Sequence, residues 1–580
     1  MYRLLPFALL ISLSLQNVFA EGAFSPDQYK KALWMVTRFY GGQRSGIGPN
    51  WLIMEHTNPA YRTSFTGDAD GSHNLEGGWF DCGDHVTFGH TFYYATYMLA
   101  KAYDEFPKGF YDLYHGKDYS DYMASQDWSI EGGSPNRMPD LLEELKYATD
   151  WIIKATPNAN TFYYEKGEGG PDHNTWVTAG KMSTQPVSDG GEPRKMWKNP
   201  NDGHMASYAA AAMAIMSRIY REHDPDYADL SLAHAKNAYG YAKPRKEQSA
   251  GAGSGGYYGE GKKGVAFVIA ASEMFLTTGE STYKNDIDES KLTDHGWGLD
   301  YANPNDLAVY SAAMAMSEKR NTHLEFLRTT FINRFTGQIN DEKVSTVGNS
   351  GWGALRYPAN HAFIAALYSK AKDITDYDQF IFDQVDYILG NNKSGQSFIV
   401  GFCESCKKQA TKPHHRNVYL RDDNPSNNEQ NSMTISERNK YFGYMVGGSF
   451  KSSDYNNDIN QYQYTEGGID YNAGLLGALA YIVSKVAPAP DIPPITPEPP
   501  DPPDPEPEPE PEPIISAPNK INSPSPVIRF TGTYVFPAQN RSFTVKIFNL
   551  KGDVVSVIKS NGQAVKFVPP NFGVYYAVNL

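Results

Sequence analysis

From about residue 29 to residue 486 the apolar positions recur mostly at three- and four-residue intervals. Between Asp140 and Ala155, Leu141, Leu145, Ala148 and Ile152 fall on one face, the spacing of a helix that buries a stripe. The run Ser134–Asp140 ahead of it, with Pro135 and Pro139, supplies a stop, and Asp140 reads as a cap. Comparable periods predict helices over 205–223, 227–242, 264–278, 307–317, 352–371, 377–389 and 471–486. Small residues are frequent, as in Ala209–Ala212, which lets helices approach closely. Strand-like alternation is scarce, so this part of the chain is expected to be all-α.

The pattern changes twice near the end. Residues 488–513 hold fourteen prolines and eight acids with no base. Proline removes donors and fixes φ while like charges repel, so this stretch predicts an extended Pro/Glu-rich linker. Beyond it, Phe543, Val545, Ile547 and Leu550 alternate, a Lys551-Gly552-Asp553 turn comes next, and Val554–Ile558 and Tyr575–Val578 read as strands. Residues 514–580 are therefore expected to form a small all-β module, a sandwich. At the other end, Met1-Tyr2-Arg3, an apolar run from Leu4 to Leu15 and Val18-Phe19-Ala20 describe a signal peptide over 1–20, hence a secreted protein with a mature domain over 21–487.

Charge and cysteine narrow the function. The net charge of −14 argues against a nucleic-acid partner, and without the eight linker acids it is −6. Aromatic residues make up 13% of the chain, enough both to fill a core and to stack on sugar rings. The three cysteines, Cys82, Cys403 and Cys406, form no disulfide framework. Cys403 and Cys406 fit a small-loop disulfide, two free thiols or part of a zinc site.

The chemistry lies in two separated motifs. Gly77-Gly78-Trp79-Phe80-Asp81-Cys82-Gly83-Asp84-His85-Val86 places two acids three residues apart, suited to holding and deprotonating a water. Tyr462-Gln463-Tyr464-Thr465-Glu466, with Ile469-Asp470-Tyr471-Asn472-Ala473-Gly474 just after it, offers a third acid among tyrosines, suited to staying protonated. One carboxylate activating water and another protonating a leaving oxygen is the division of labour in inverting glycoside hydrolysis.

These runs resemble those of the family nine glycoside hydrolases, with Cys82 where the family has Ala and Thr465 where it has Asn. Further motifs occur in the same order: Gln43–Gly46, Asp172–Trp176, Trp352–Tyr357 and Pro413–Arg416. The resemblance implies an (α/α)6 barrel with an open cleft and a secreted endo-β-1,4-glucanase acting on cellulose or a related β-glucan. An exo-acting cello-oligosaccharide hydrolase, a xyloglucanase, or a non-catalytic glycan-binding protein on the same scaffold are the alternatives. It implies Asp84 as general base, Asp81 as second holder of the water and Glu466 as general acid, its pKa raised by partial burial against rings such as Tyr462 and Tyr464. His414, Arg416, His173, Trp176, Trp352, Arg356 and Tyr471 would line the sugar subsites. No cofactor is required for this chemistry; a structural calcium is compatible with it, its ligands unassigned. Three departures stand out: Asn457 where the family has Asp, with Asp458 beside it as a substitute; Cys403 for Gly; and Gly264–Phe267 in place of an acidic helix start. The β module resembles C-terminal sorting modules of some bacterial secreted proteins, which would make the secretion machinery or the cell surface its partner. Carbohydrate binding and an inert appendage are the other readings.

Overall fold

The computed structural model describes residues 21–47, 63–111 and 138–489, interrupted at 249–250, 252, 260, 295–296, 404–405, 420–422 and 434–442, and the strands between 527 and 579. The signal segment and nearly all of the linker lie outside the described residues. The chain divides into two units, Met1–Pro499 and Pro500–Leu580.

The longer helices of the first unit are α1 (Pro26–Gly42), α2 (Gly89–Glu105), α3 (Asp140–Ala155), α4 (His204–Tyr220), α5 (Pro225–Ala242), α6 (Val265–Thr278), α7 (Asn305–Ala315), α8 (Arg320–Leu327), α9 (Arg356–Lys372), α10 (Asp378–Leu389) and α11 (Ile469–Val486). Helices α2, α4, α6, α7, α9 and α11 pack in that order into a closed ring, α11 returning to α2. The others pack outside it: α1 and α10 on α11, α3 on α2, α5 on α4 and α8 on α7. This helix-rich arrangement is consistent with an (α/α)6 barrel.

Composition explains the ring. Every residue from Gly89 to Ala102 of α2 and from Ile469 to Val483 of α11 is buried. A helix apolar all round belongs inside others, and such a helix has no polar face to reveal its period. The periodicity predicts α11 but not α2, which mixes His90, Thr91, Thr96 and Lys101 among its apolar residues. The outer α3 shows the stripe clearly and spans the residues expected. Its cap, however, is Pro139, without a side-chain hydrogen bond; Asp140 is the first helical residue, its N–H donating to the Tyr111 carbonyl at 3.0 Å.

The inner helices run the same way, because an outer segment returns the chain each time. Of their C-terminal ends, those of α2, α4 and α6 are tied by buried and half-buried charges. Lys101 of α2 meets Glu273 of α6 at 2.8 Å, and Arg218 of α4 meets both Glu273 at 2.9 Å and Asp104 at 2.6 Å. Their N-terminal ends carry the loops that hold the predicted motifs.

In the second unit, β1 (Val527–Thr531), β2 (Tyr534–Phe536), β3 (Phe543–Asn549), β4 (Val554–Ser560), β5 (Val565–Phe567) and β6 (Val574–Asn579) form two antiparallel sheets, one in the order β4-β3-β6-β1 and the other pairing β2 with β5. Val545 and Ile547 face inward, as their alternation predicts. The β3–β4 register slips between Ile547 and Phe548, so the simple alternation does not run to Leu550, which lies outside the described residues.

Candidate active site

The first motif crosses the top of the ring as a loop ending at α2. Gly77 and Gly78 take φ of +112° and +76°, left-handed values that favour glycine, against the Trp151 ring. Gly83 sits so close to the neighbouring loop that a Cβ there would stand 2.2 Å from the His414 carbonyl oxygen. Backbone bonds lace this loop to the others. Ile469 N–H donates to Asp81 O at 3.0 Å, Arg416 N–H to Gly83 O at 3.1 Å, and His414 N–H to Thr465 O at 3.1 Å. Three motifs, the first more than three hundred residues from the other two, thus meet at one point.

Asp81 is buried. Its carboxylate accepts hydrogen bonds from Thr91 in the first turn of α2, from the Tyr258 hydroxyl, and from the Cys82 thiol at 3.3 Å. Burial and the charge of Asp84 push it upward, against the pull of the Thr91 and Tyr258 donors. Asp84, also buried, accepts from Val86 N–H at 2.8 Å. Burial raises it to about 6, opposed by His173 and Arg416. Glu466 is partly exposed, and one of its oxygens accepts from Gly83 N–H at 3.4 Å, the amide between the two aspartates. Burial, then Asp84 and Asp81, hold it well above the ordinary glutamate range. Burial, the source expected from the sequence, is the largest cause of that rise, and like charge adds to it; Tyr462 packs on Trp352 at 5.0 Å and His414 at 5.7 Å.

Around these acids stand the other predicted residues. Arg416 is buried and pairs with Asp172, whose carboxyl it holds below the usual range despite burial. Its guanidinium lies 5.4 Å from the Trp176 ring centroid, and Trp176 meets His414 edge-on at 4.6 Å. His414 donates from Nδ1 to the Ile459 carbonyl at 2.9 Å; burial holds it down to about 4, so it is neutral with Nε2 as acceptor. His173 is exposed and stacks on Tyr257 at 4.9 Å. Arg356 pairs with Asp470 at 2.8 Å and covers Tyr471, while Trp352 remains 41% exposed, an open platform. His415, quoted within the same motif, instead bonds Gln43 at 2.8 Å, and Gln43 in turn donates to the Cys82 carbonyl at 2.8 Å.

Sequence reasoning missed Thr91, Tyr258 and Asp470. Thr91 and Tyr258 lie 10 and 177 positions from the carboxylate they bind. The departure at Asn457 has a local explanation. Its side chain accepts from the Thr411 and Lys412 amides at 3.2 and 3.1 Å and donates to the Thr411 hydroxyl at 2.8 Å, pinning the chain that leads into His414. Asp458 does not take its place: it accepts from Asn431 and from the Asn460 amide, each at 2.8 Å. Cys403 and Cys406 are joined in a disulfide, which removes the thiol and zinc alternatives. Among the described residues no group of three or more His, Cys, Asp or Glu side chains is placed to share an ion, so no calcium ligands are assigned.

A ring of helices carrying an aspartate pair, a separate raised glutamate and exposed aromatic platforms defines a glycoside hydrolase. Residues 29–479 match the model for glycosyl hydrolase family 9, and the chain belongs to that family. Endoglucanase A of Fibrobacter succinogenes is 36% identical over 69% of this chain and 89% of its own length. Endoglucanase 4 of a Bacillus species is 28% identical over 81% and 71% respectively. The crystal structure of the cellulase Cel9M of C. cellulolyticum superposes with a TM-score of 0.63 at 26% identity, covering 79% of this chain and 98% of Cel9M. Family and relatives together make the chain an endo-1,4-β-glucanase.

Proposed function

We propose that this endoglucanase is exported and cleaves cellulose or a related β-1,4-glucan with inversion at the anomeric carbon. The observation that carries the reading is the contrast between its carboxyls. Asp81 and Asp84 form a pair in which Asp84, at about 6, is ionised near neutrality and accepts the proton of the attacking water. Glu466, raised by burial and then by that same pair, keeps its proton and delivers it to the leaving oxygen. Asp81, oriented by Thr91 and Tyr258, holds the water from its second side. A structure of Cel9M with cellobiose supports the substrate class; Trp352 and Trp176 supply stacking faces, Arg416 a donor and His414 Nε2 an acceptor for the hydroxyls of a glucan. The three carboxyls argue against a glycan-binding protein without activity. Proton NMR of the first product tests the mechanism: attack by water from the face opposite the leaving group yields the α-anomer first. A β-anomer as first product would remove Asp84 from its role as base.

A further inference from the structure

Beneath the loop that carries Asp81 and Asp84 lies a buried charge cluster outside the set of residues expected to touch sugar. Asp68 is fully buried and binds Arg194 twice, at Nε (2.9 Å) and Nη2 (2.7 Å); it also accepts the Arg194 backbone amide at 3.0 Å. Lys166, equally buried, stands 3.5 Å from the same carboxylate. Both side chains then turn their donors to the backbone of the loop. Lys166 Nζ donates to the Gly77 carbonyl at 2.7 Å and the Leu75 carbonyl at 3.3 Å, where the loop begins. Arg194 Nη1 donates to the His85 carbonyl, immediately after Asp84. Lys166 also exchanges two backbone hydrogen bonds with Thr87, at 2.9 and 3.1 Å. The Ser45 hydroxyl accepts from both, at 3.0 Å from Lys166 and 2.9 Å from Arg194, while its own amide donates to Gly78 O at 2.8 Å. The Phe65 ring lies 3.6 Å from the Arg194 guanidinium and shields it from water.

We propose that Lys166 and Arg194, joined through Asp68, are positioning residues that fix both ends of the Gly77–His85 loop and so set where Asp81 and Asp84 hold the attacking water. The donors of the cluster go to carbonyls on either side of the two aspartates, Leu75 and Gly77 before them and His85 after them. Buried donors with fixed carbonyl acceptors hold the two ends of the loop in place, and small displacements of a reacting group are costly to rate. The proposal rests on Asp84 acting as base.

Lys166→Met keeps the stem and removes the donor. It is expected to lower kcat by about 10²-fold with KM nearly unchanged. Because the water side of the reaction is disturbed, the loss should be as large on an aryl cellobioside with an activated leaving group as on soluble glucan. Arg194→Lys, which keeps the charge beside Asp68 but lacks the fork reaching Ser45 and His85, should show the same signature. It carries the test if the Met variant does not fold. Unchanged kcat per folded molecule, a rise in KM alone, loss confined to the poor leaving group, or failure of both variants to fold would overturn the positioning role. Asp84→Asn is assayed alongside: if it retains full activity, the assignment of the base has failed, an outcome distinct from failure of the clamp.

Discussion

At the residue scale, the division of protons between Asp84 and Glu466 makes the pH profile and the leaving-group dependence separable. Asp84 acts ionised and titrates at about 6, so kcat/KM should fall about tenfold per pH unit below that value. Glu466 acts protonated and is raised, so the rate should fall again on the alkaline side, above the ordinary glutamate range. Replacing the acid tests both limbs together. Glu466→Gln should cost about 10²–10⁴-fold on glucan and far less on substrates with an activated aryl leaving group. On the activated substrate the variant should lose the alkaline limb and keep the acid limb. A profile unchanged at both limbs, with equal loss on both substrates, would show Glu466 to be structural. The sequence made these acids legible because their neighbours are distinctive. It left the like-charge part of that rise hidden, since Asp81 and Asp84 are nearly four hundred positions from Glu466 and only the fold brings them together.

At the scale of elements, boundaries were legible where the sequence marks them. The predicted starts and ends of α5, α6 and α10 lie within two residues of those observed, and stop or cap residues stand at them: Asp224 and Pro225 at the start of α5, Gly264 and Gly279 around α6, and Gly390 after α10. The observed start of α9 is four residues later than the pattern predicts: Trp352–Leu355 are apolar enough to extend it but form a turn. The catalytic loop has no periodicity at all, and its shape depends on contacts that no local pattern encodes. Gly83 shows how tightly that shape is fixed. With a Cβ 2.2 Å from His414 O, Gly83→Ala must move either the loop or the chain carrying His414, and Asn457 holds the latter. Displacement near 1 Å costs about 10²-fold in rate. We therefore expect Gly83→Ala to fold, since the helix ring lies elsewhere, and to lose activity of that order, measured as kcat on soluble glucan beside the melting temperature. Wild-type kcat in a folded variant would mean that the loop is not fixed as described.

At the scale of the whole molecule, the expected end of the catalytic domain at 487 is slightly early. The Tyr111 hydroxyl donates to the Ala487 carbonyl at 2.7 Å, and Ala489, buried, donates its amide to the Lys108 carbonyl at 2.7 Å. Residues to 489 therefore belong to the helical unit, and the rest of the Pro/Glu-rich run begins beyond them. A spacer with few donors and like charges adds nothing to a core. A protein truncated after Pro490 should accordingly match the full chain in melting temperature and in activity on soluble glucan. Truncation after Val486 removes both hydrogen bonds, each worth about 1 kcal/mol net, and should melt lower with kcat unchanged. The role of the β module is tested by the same pair of lengths in the native host. We propose, from its resemblance to sorting modules, that it directs export or surface attachment, so the protein ending at Pro490 should fail to reach the site where the full chain accumulates. Normal release of the short form, together with weaker retention on insoluble cellulose, would reject sorting and assign the two sheets to glycan binding.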